Sequence, residues 1–160
     1  MLRTLRIGCL AGVFLTALLL AACRPDCSLS LQTKLNVSFW NDSLGRESRP
    51  VVRVHGVGND SILYDSIGVS MLSLPLHDQQ SSTDFEIQVF ASDTTRSDTT
   101  FVLHVEHTPL PQYISPECGC SMFHELHKVS FAGEGTEKSV SVLSNQVTTD
   151  AHEVHVQVHL

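Results

Sequence analysis

The segment Glu153-Val-His-Val-Gln-Val-His159 alternates a valine with a polar residue over its whole length. Successive side chains of an extended strand point to opposite faces, so the three valines are predicted to face a core and the polar residues, His155 and His159 among them, to face water. This pattern indicates a half-buried β-strand near the end of the chain. Its outward polar side chains and its backbone make it a candidate edge strand for partner binding by strand addition.

The same period of two recurs upstream, and no segment holds a helical period of 3.6 residues over three turns. The predicted inward faces are Leu35, Val37 and Phe39; Phe85, Ile87 and Val89; and Phe101, Leu103 and Val105. Shorter candidate strands are Val51–Val57, Ile62–Tyr64, Val69–Leu76, His124–Phe131 and Lys138–Leu143. Eight or nine short strands separated by turn residues predict an all-β fold, an antiparallel β-sandwich of immunoglobulin-like or open-barrel type.

The N-terminus has the pattern of a secretory leader. Arg3 and Arg6 precede an uncharged stretch from Ile7 to Ala22, and the tract Leu20-Ala-Ala-Cys23 forms a lipobox. A membrane-spanning helix needs roughly 20 apolar residues, which this stretch does not reach. The sequence therefore predicts a cleaved lipoprotein signal peptide, followed by lipidation of Cys23.

The expected organisation is a signal peptide over residues 1–22, a lipidated tether over 23–32 and a β-sandwich domain over 33–160. Several acyl chains on Cys23 would hold the domain at a membrane surface. Cleavage removes two arginines and no acidic residue, which takes the formal net charge from −7 to −9. Nucleic acid is excluded as an expected partner, because its binding depends on an excess of Lys and Arg.

The cysteine count predicts one disulfide. Cys9 leaves with the leader and Cys23 takes the lipid, so Cys27, Cys118 and Cys120 remain. An exported compartment is oxidising and favours a bridge. Cysteines two apart on an extended chain lie at or beyond the usual Cα separation of a disulfide, so the bridge is expected to join Cys27 to either Cys118 or Cys120.

Three tracts resemble an uncharacterised family of small lipoproteins from Bacteroidota. They are Val54–Tyr64, Leu72–Leu76 and Gln112–Gly119, the last containing Ile-Ser-Pro-Glu-Cys-Gly. Together with Cys27 they cover most of the chain after the leader. The family has no known function, so the resemblance implies an architecture and a cellular address but no activity.

The resemblance also implies which cysteines pair. Members of the family share the early cysteine and the Cys-Gly step, which favours a bridge between Cys27 and Cys118 and leaves Cys120 as an addition of this chain. Arg24 follows the lipidated residue, and Asp26 is the one acidic residue close behind it. Without an acidic export cluster or an Asp directly after the lipid, the expected location is the periplasmic face of the outer membrane.

In bacteria of that kind, Ser or Thr after Asp and before an aliphatic residue or Thr is an O-glycosylation acceptor in exported proteins. Five such triplets are centred on Ser43, Ser61, Ser66, Thr94 and Thr99. Asp-Ser and Asp-Thr pairs also form turns on their own account. The resemblance therefore makes these five residues candidate sugar acceptors.

Nine histidines raise the question of a metal. The densest group is Cys120, His124 and His127, whose thiolate and imidazoles suit Zn or Cu(I). A bridge cysteine beside exposed strand histidines explains the same run. His124 and His127, like His104 and His107, are three residues apart rather than the four that a zinc-protease helix requires. His155 and His159 offer half of a surface metal site, or simply two solvated positions.

Catalytic motifs are missing from the sequence. The pair Gly56-Val-Gly58 does not make a phosphate loop, and no Gly-x-Ser-x-Gly elbow occurs. The sequence predicts a non-enzymatic, cofactor-free accessory or interaction module of the cell envelope, anchored by lipid, with an envelope or outer-membrane protein as its partner. The alternative is an envelope lipoprotein that binds Zn or Cu through Cys120 and the His-rich segments.

Overall fold

A computed structural model of the protein describes residues 32–58, 61–91, 98–116, 118–132 and 139–160. These residues contain eleven strands and no helix, hence none long and apolar enough to cross a membrane. The strands are β1 (Lys34–Asn41), β2 (Arg46–Glu47), β3 (Val51–Gly56), β4 (Ile62–Gly68), β5 (Met71–Pro75), β6 (Ser82–Phe90), β7 (Thr99–Ser115), β8 (Gly119–Ala132), β9 (Val140–Val142), β10 (Gln146–Val147) and β11 (Val156–His159). The predicted leader and the lipidation residue Cys23 lie outside the described residues, as do Cys27 and Thr94.

The strands form two sheets, and one of them curls into a half-barrel. The six-stranded sheet has the order β10-β8-β7-β6-β3-β4 and is antiparallel throughout. The five-stranded sheet has the order β2-β1-β11-β9, with β5 also paired to β1. The predicted all-β, mostly antiparallel architecture is confirmed.

One strand pair departs from the antiparallel prediction. The first and last strands, β1 and β11, run parallel, with Val37 opposite Val156 and Phe39 opposite Val158. Parallel neighbours need a long crossover, and here almost the whole domain lies between the two strands. Local alternation indicates which face of a strand is buried but not its direction against a distant partner, so this parallel pair could not be predicted from the pattern.

The core lies between the inward faces of the sheets and follows the period of two. Leu35, Val37 and Phe39 of β1 are fully buried, and so are, or nearly so, the predicted inward residues of β6 and β7: Phe85, Ile87, Phe101, Leu103 and Val105. Strand β1 is also buried on its second face, through Asn36 and Ser38. Two buried faces are the mark of a strand covered on both sides.

The C-terminal segment differs from its prediction in two ways. Val156 and Val158 are buried as predicted, but β11 begins only at Val156, so Val154 precedes the strand and is half-buried. Strand β11 also lies between β1 and β9 rather than at a sheet edge. His155, predicted to face water, is fully buried. The imidazole Nδ1 of His155 accepts the backbone N–H of Asn36 at 3.0 Å, and the backbone N–H of His155 donates to the Asn36 carbonyl at 3.0 Å. Just before the β1–β11 pairing begins, the imidazole of His155 thus accepts a backbone N–H that a strand carbonyl would otherwise accept.

The hairpin of β7 and β8 is much longer than predicted. Strand β7 was expected only around Phe101–Val105, and it extends to Ser115. Pro109 and Pro111 interrupt the apolar alternation there, which hid the strand. Because β6 pairs with β7 no further than Glu106, the later part of β7 has one free edge, where proline is tolerated.

Candidate functional site

Two buried histidines form the most distinctive polar group of the domain. His107 of β7 is fully buried and His124 of β8 nearly so. Their Nδ1 atoms are 3.2 Å apart, and the rings meet edge to face with centroids 4.9 Å apart. Since His107 is opposite Leu126 and His124 opposite Pro109, they are diagonal neighbours on one face. We call these two residues the histidine pair.

A register shift places the histidine pair at the end of the three-strand region. The β7–β8 pairing shifts between Glu106 and His107, and the β6–β7 ladder ends with Ser82 opposite Glu106. The N–H of His107 instead donates to the Ser81 carbonyl at 2.8 Å. The loop between β5 and β6, residues 76–81, is thereby fixed beside the histidine pair.

The neighbours of the histidine pair fix its tautomers. The Asp78 carboxylate lies 3.5 Å from His124 Nε2 and has no proton to give, so this nitrogen carries the proton. His124 Nδ1 then accepts from His107 Nδ1–H, and His107 Nε2 accepts the Thr83 hydroxyl proton at 2.8 Å. The Thr83 oxygen accepts the backbone N–H of His77 at 3.0 Å. These five residues form one hydrogen-bond chain that is complete when both imidazoles are neutral.

Burial keeps the histidine pair neutral. The pKa of His107 is lowered to about 4, mainly by desolvation and to a smaller extent by the nearby His124, His77 and His127, with a partial offset from Asp78. Desolvation also lowers the pKa of His124, which Asp78 opposes. A proton added to the pair would turn His107 Nε2 into a donor, either by binding there directly or by binding His124 Nδ1 and reversing the internal hydrogen bond. The Thr83 hydroxyl would then lose its acceptor, so protonation costs a hydrogen bond as well as desolvation.

Pockets open at both ends of the hydrogen-bond chain. Asp78, whose side chain is 63% exposed, lines a pocket of about 270 Å³ together with Cys120 and Thr33. His77 and Thr83 line a second pocket of about 220 Å³. The hydrogen bonds all point from the backbone N–H of His77 toward Asp78, and a backbone amide does not give up its proton. The arrangement can therefore couple the position of the 76–81 loop to the protonation of the histidine pair, but it does not relay protons between the pockets.

The structure separates the candidate metal ligands. Cys120 is exposed on β8, His124 faces His107, and His127 is exposed and lies 2.6 Å from the Thr108 hydroxyl. Within the described ranges, no three His, Cys, Asp or Glu side chains are grouped so as to hold a metal ion.

His155 and His159 do not share the solvent face that was predicted for them. His155 is buried against Asn36, whereas His159 Nδ1 lies 2.7 Å from a carboxylate oxygen of Asp42. The imidazole of His155 is therefore turned away from the surface on which a metal site with His159 was considered.

The candidate disulfide residues lie at the turn of the β7–β8 hairpin. The N–H of Cys118 donates to the Ser115 hydroxyl, and Gly119 adopts a φ of 72°, which glycine alone reaches without strain. Cys120 is exposed and carries a free thiol. With Cys27 outside the described residues, its pairing with Cys118 stays a prediction.

Four of the five candidate sugar acceptors can be placed. Ser43 is exposed in the turn after β1, Ser61 is exposed just before β4, Ser66 is exposed within β4, and Thr99 is half-buried at the start of β7. Ser66 was expected in a loop and lies instead in a strand, with a φ of 52°. Its hydroxyl contacts Asp65 and Arg53.

Sequence reasoning missed His107, Thr83 and Asp78. The signal for His107 was present, because the inward series Phe101, Leu103 and Val105 continues at period two to residue 107. Asp78 gave no signal, since it reaches His124 only through the path of the 76–81 loop.

These features define a small all-β domain with a buried neutral histidine pair and a long protruding hairpin. The model of a family of unknown function, DUF6452, matches residues 51–160, and the chain belongs to this family. The prediction of a family without known function is confirmed, while its lipoprotein character and lineage stay predictions. No curated protein and no solved structure matches the chain.

Proposed function

We propose that this protein is a lipid-anchored, non-enzymatic accessory domain of the cell envelope. It is held by lipid on Cys23 at the periplasmic face of the outer membrane and binds an envelope membrane protein. The lipobox supports the anchor, and the acidic net charge of −7 argues against nucleic acid as the partner.

The exposed apolar hairpin of β3 and β4 carries the binding proposal. In the part of the chain that is described, β4 pairs with β3 alone, which leaves one edge of a seven-residue strand open. Ile62 and Ile67 on β4 are exposed, as are Val51 at the start of β3 and Val57 just after its end. Apolar side chains concentrated beside an open edge favour a protein partner.

The edge of β4 also has features that limit nonspecific pairing. The β3–β4 register shifts between Val52 and His55, and Ser66 adopts a positive φ. Arg53 bonds Asp65 at 2.9 Å, which places an ion pair on the hairpin. Bulges and charges of this kind discourage flat strands from adding at random, so the proposed partner matches a kinked edge. In the proposal, β4 replaces the C-terminal segment as the binding edge.

The covalent modifications belong to the same proposal. In the proposal, a Cys27–Cys118 disulfide ties the tether to the turn of the β7–β8 hairpin, where Cys118 lies. Of the sugar acceptors, Ser61 and Ser66 lie at the β4 edge, where a glycan would compete with the partner. We therefore expect protein that copurifies with its partner to carry its sugar elsewhere.

Site-specific photocrosslinking in the protein's own host tests the binding proposal. A photoreactive amino acid at Ile67 is expected to capture an envelope membrane protein, whereas the same residue at the exposed Leu143 beside β9 is the matched control. Capture of nothing but lipid and the protein itself at Ile67 would reject the proposal. A C23A variant, expected to leave the membrane fraction, tests the anchor separately.

The alternative, Zn or Cu binding through Cys120 and the His-rich segments, has weaker support. His124 is turned toward His107 and His127 toward Thr108, so neither side chain is directed to the Cys120 thiol. Metal binding there would require the histidine pair to separate.

A further inference from the structure

The far part of the β7–β8 hairpin forms a two-stranded ribbon. We use the name ribbon for residues 110–123, which lie beyond the last β6 contact at Glu106 and the last β10 contact at His124. Beyond the pair Pro111–Met122, the two strands continue to Ser115 opposite Gly119. At ~3.3 Å per residue, this end projects roughly 13 Å.

The end of the ribbon is apolar and nearly uncharged. Tyr113, Leu110 and Ile114 expose 60%, 43% and 38% of their surface. Among the described ribbon residues there is no Asp, Glu, Lys or Arg, and Glu117, outside them, is the one charged residue of the tract in the sequence. In a chain with 17 acidic residues, this is an unusual surface.

The chain enters the domain at the base of this ribbon. The Thr33 hydroxyl donates to the Met122 carbonyl, and Gln32 lines the same pocket as Cys120. The nine steps from Gln32 back to Cys23 span at most about 32 Å when fully extended. A lipid on Cys23 therefore keeps the ribbon base within that distance of the bilayer. A Cys27–Cys118 bridge would shorten the link between lipid and ribbon end to four residues, about 14 Å.

We propose that the end of the ribbon, with Tyr113, Ile114 and Leu110, rests in the headgroup region of the membrane that carries the lipid anchor. This inference rests on the proposed lipidation of Cys23. Tyrosine suits the interface because its ring is apolar and its hydroxyl reaches water. Contact is confined to the headgroups, since the open backbone edges of a two-stranded ribbon cannot enter hydrocarbon. The acidic chain makes apolar contact, rather than attraction to anionic lipid, the source of binding.

The ribbon contact orients the domain. Strand β6 begins at Ser82, opposite Glu106 and near the base of the ribbon. The other end of the sheet, where β6 ends and β3 and β7 begin, therefore points away from the bilayer. Ile67 is opposite Val52, which is opposite Val89, which in turn is opposite Thr99, the first residue of β7. Tyr113 lies 14 residues further along β7, about 46 Å at ~3.3 Å per residue. Ile67 is thus a matched exposed position at the far end.

Fluorescence quenching by brominated lipid tests the inference on the full lipidated protein. The chain has one tryptophan, Trp40, so Y113W and I67W are each made in a W40F background and reconstituted in phosphatidylcholine vesicles. Lipid brominated near the headgroup end of its acyl chains is expected to reduce the emission of Y113W at least roughly twofold and to leave I67W unchanged.

The outcomes separate this inference from the proposed function. Intact mass first establishes that Cys23 carries lipid. Lipidated Y113W that is not quenched overturns the ribbon contact and leaves the anchor standing. Protection of Y113W from aqueous iodide without quenching by brominated lipid assigns the ribbon end to a protein or a second copy, and also overturns it. A chain without lipid that stays in solution overturns both.

Discussion

Two histidines of β7, three residues apart, occupy opposite environments. His104 is on the outer face of the six-stranded sheet, against the Asp84 carboxylate and 3.7 Å from Glu106. His107 is on the inner face and meets Thr83 and His124. The outer imidazole is partly exposed beside two carboxylates, whereas the inner one is buried among partners suited to its neutral form. The side of the strand, more than the residue type, thus decides what the histidine can do.

Alanine at each histidine gives the largest expected contrast. H107A is expected to lower the free energy of unfolding by about 3–4 kcal/mol, because it leaves a cavity and two unpaired polar groups, on Thr83 and His124. H104A is expected to cost no more than about 1 kcal/mol, since its ion pairs are partly exposed. Urea denaturation of both variants measures the difference. Equal losses would show that the histidine pair is not a structural centre.

Acid is expected to destabilise the protein through the inner histidine. The folded-state pKa of His107 is about 4 against an ordinary 6.5, so the unfolded chain binds its proton first as the pH falls. Stability is therefore full above about pH 6.5 and declines toward pH 4, by roughly 3 kcal/mol from this group. The lowered pKa of His124 acts in the same direction.

Glutamine variants separate this loss from the titration of carboxylates. H107Q is expected to flatten the decline in unfolding free energy between about pH 7 and pH 4, whereas H104Q is expected to keep it. An unchanged decline in H107Q would assign the acid sensitivity to other groups.

A smaller effect is expected from T83V, which keeps the side-chain shape and removes the hydroxyl that joins His77 to His107. The loss is about 1–2 kcal/mol, because the His107 Nε2 acceptor and the His77 N–H both lose their partner. T100V, at an exposed position of β7, is the control and is expected to be neutral. The midpoints of thermal unfolding of the two variants at neutral pH measure this difference in stability. Neutral behaviour of T83V would remove Thr83 from the hydrogen-bond chain.

The smallest effect is expected at Cys120. Because its thiol is free and exposed, C120S is expected to change stability by no more than about 0.5 kcal/mol. Zn binding, measured by calorimetry, is expected to be equally weak in C120S and the wild-type chain. A stoichiometric Zn site lost in C120S would instead favour the metal-binding alternative.

The alternation of apolar and polar residues predicted the fold class and most inward faces, because a strand with one buried face has apolar residues at every second position. The alternation did not predict features that depend on contacts with segments distant in sequence. His155 is buried because Asn36 lies beside it, and β11 is internal because β1 and β9 both pair with it.

Part of the candidate site could be predicted from the same alternation. Period two along β7 places His107 inside, but its contacts with His124 and Thr83 depend on a register shift and on the 76–81 loop. The ribbon was not predicted, because prolines in this part of β7 interrupt the alternation of apolar and polar residues.

The parallel pairing of β1 with β11 has a consequence for how the chain folds. Val37 and Val156 are 119 residues apart in sequence, and β1 has no β11 partner until the last few residues are present. Contacts between such distant segments form slowly, because the loop between them must first be closed. The five-stranded sheet is therefore completed only once β11 has joined β1 and β9. Removing Val156 and the residues after it would leave facing edges of β1 and β9 open to aggregation, so the C-terminus is a poor place for truncation.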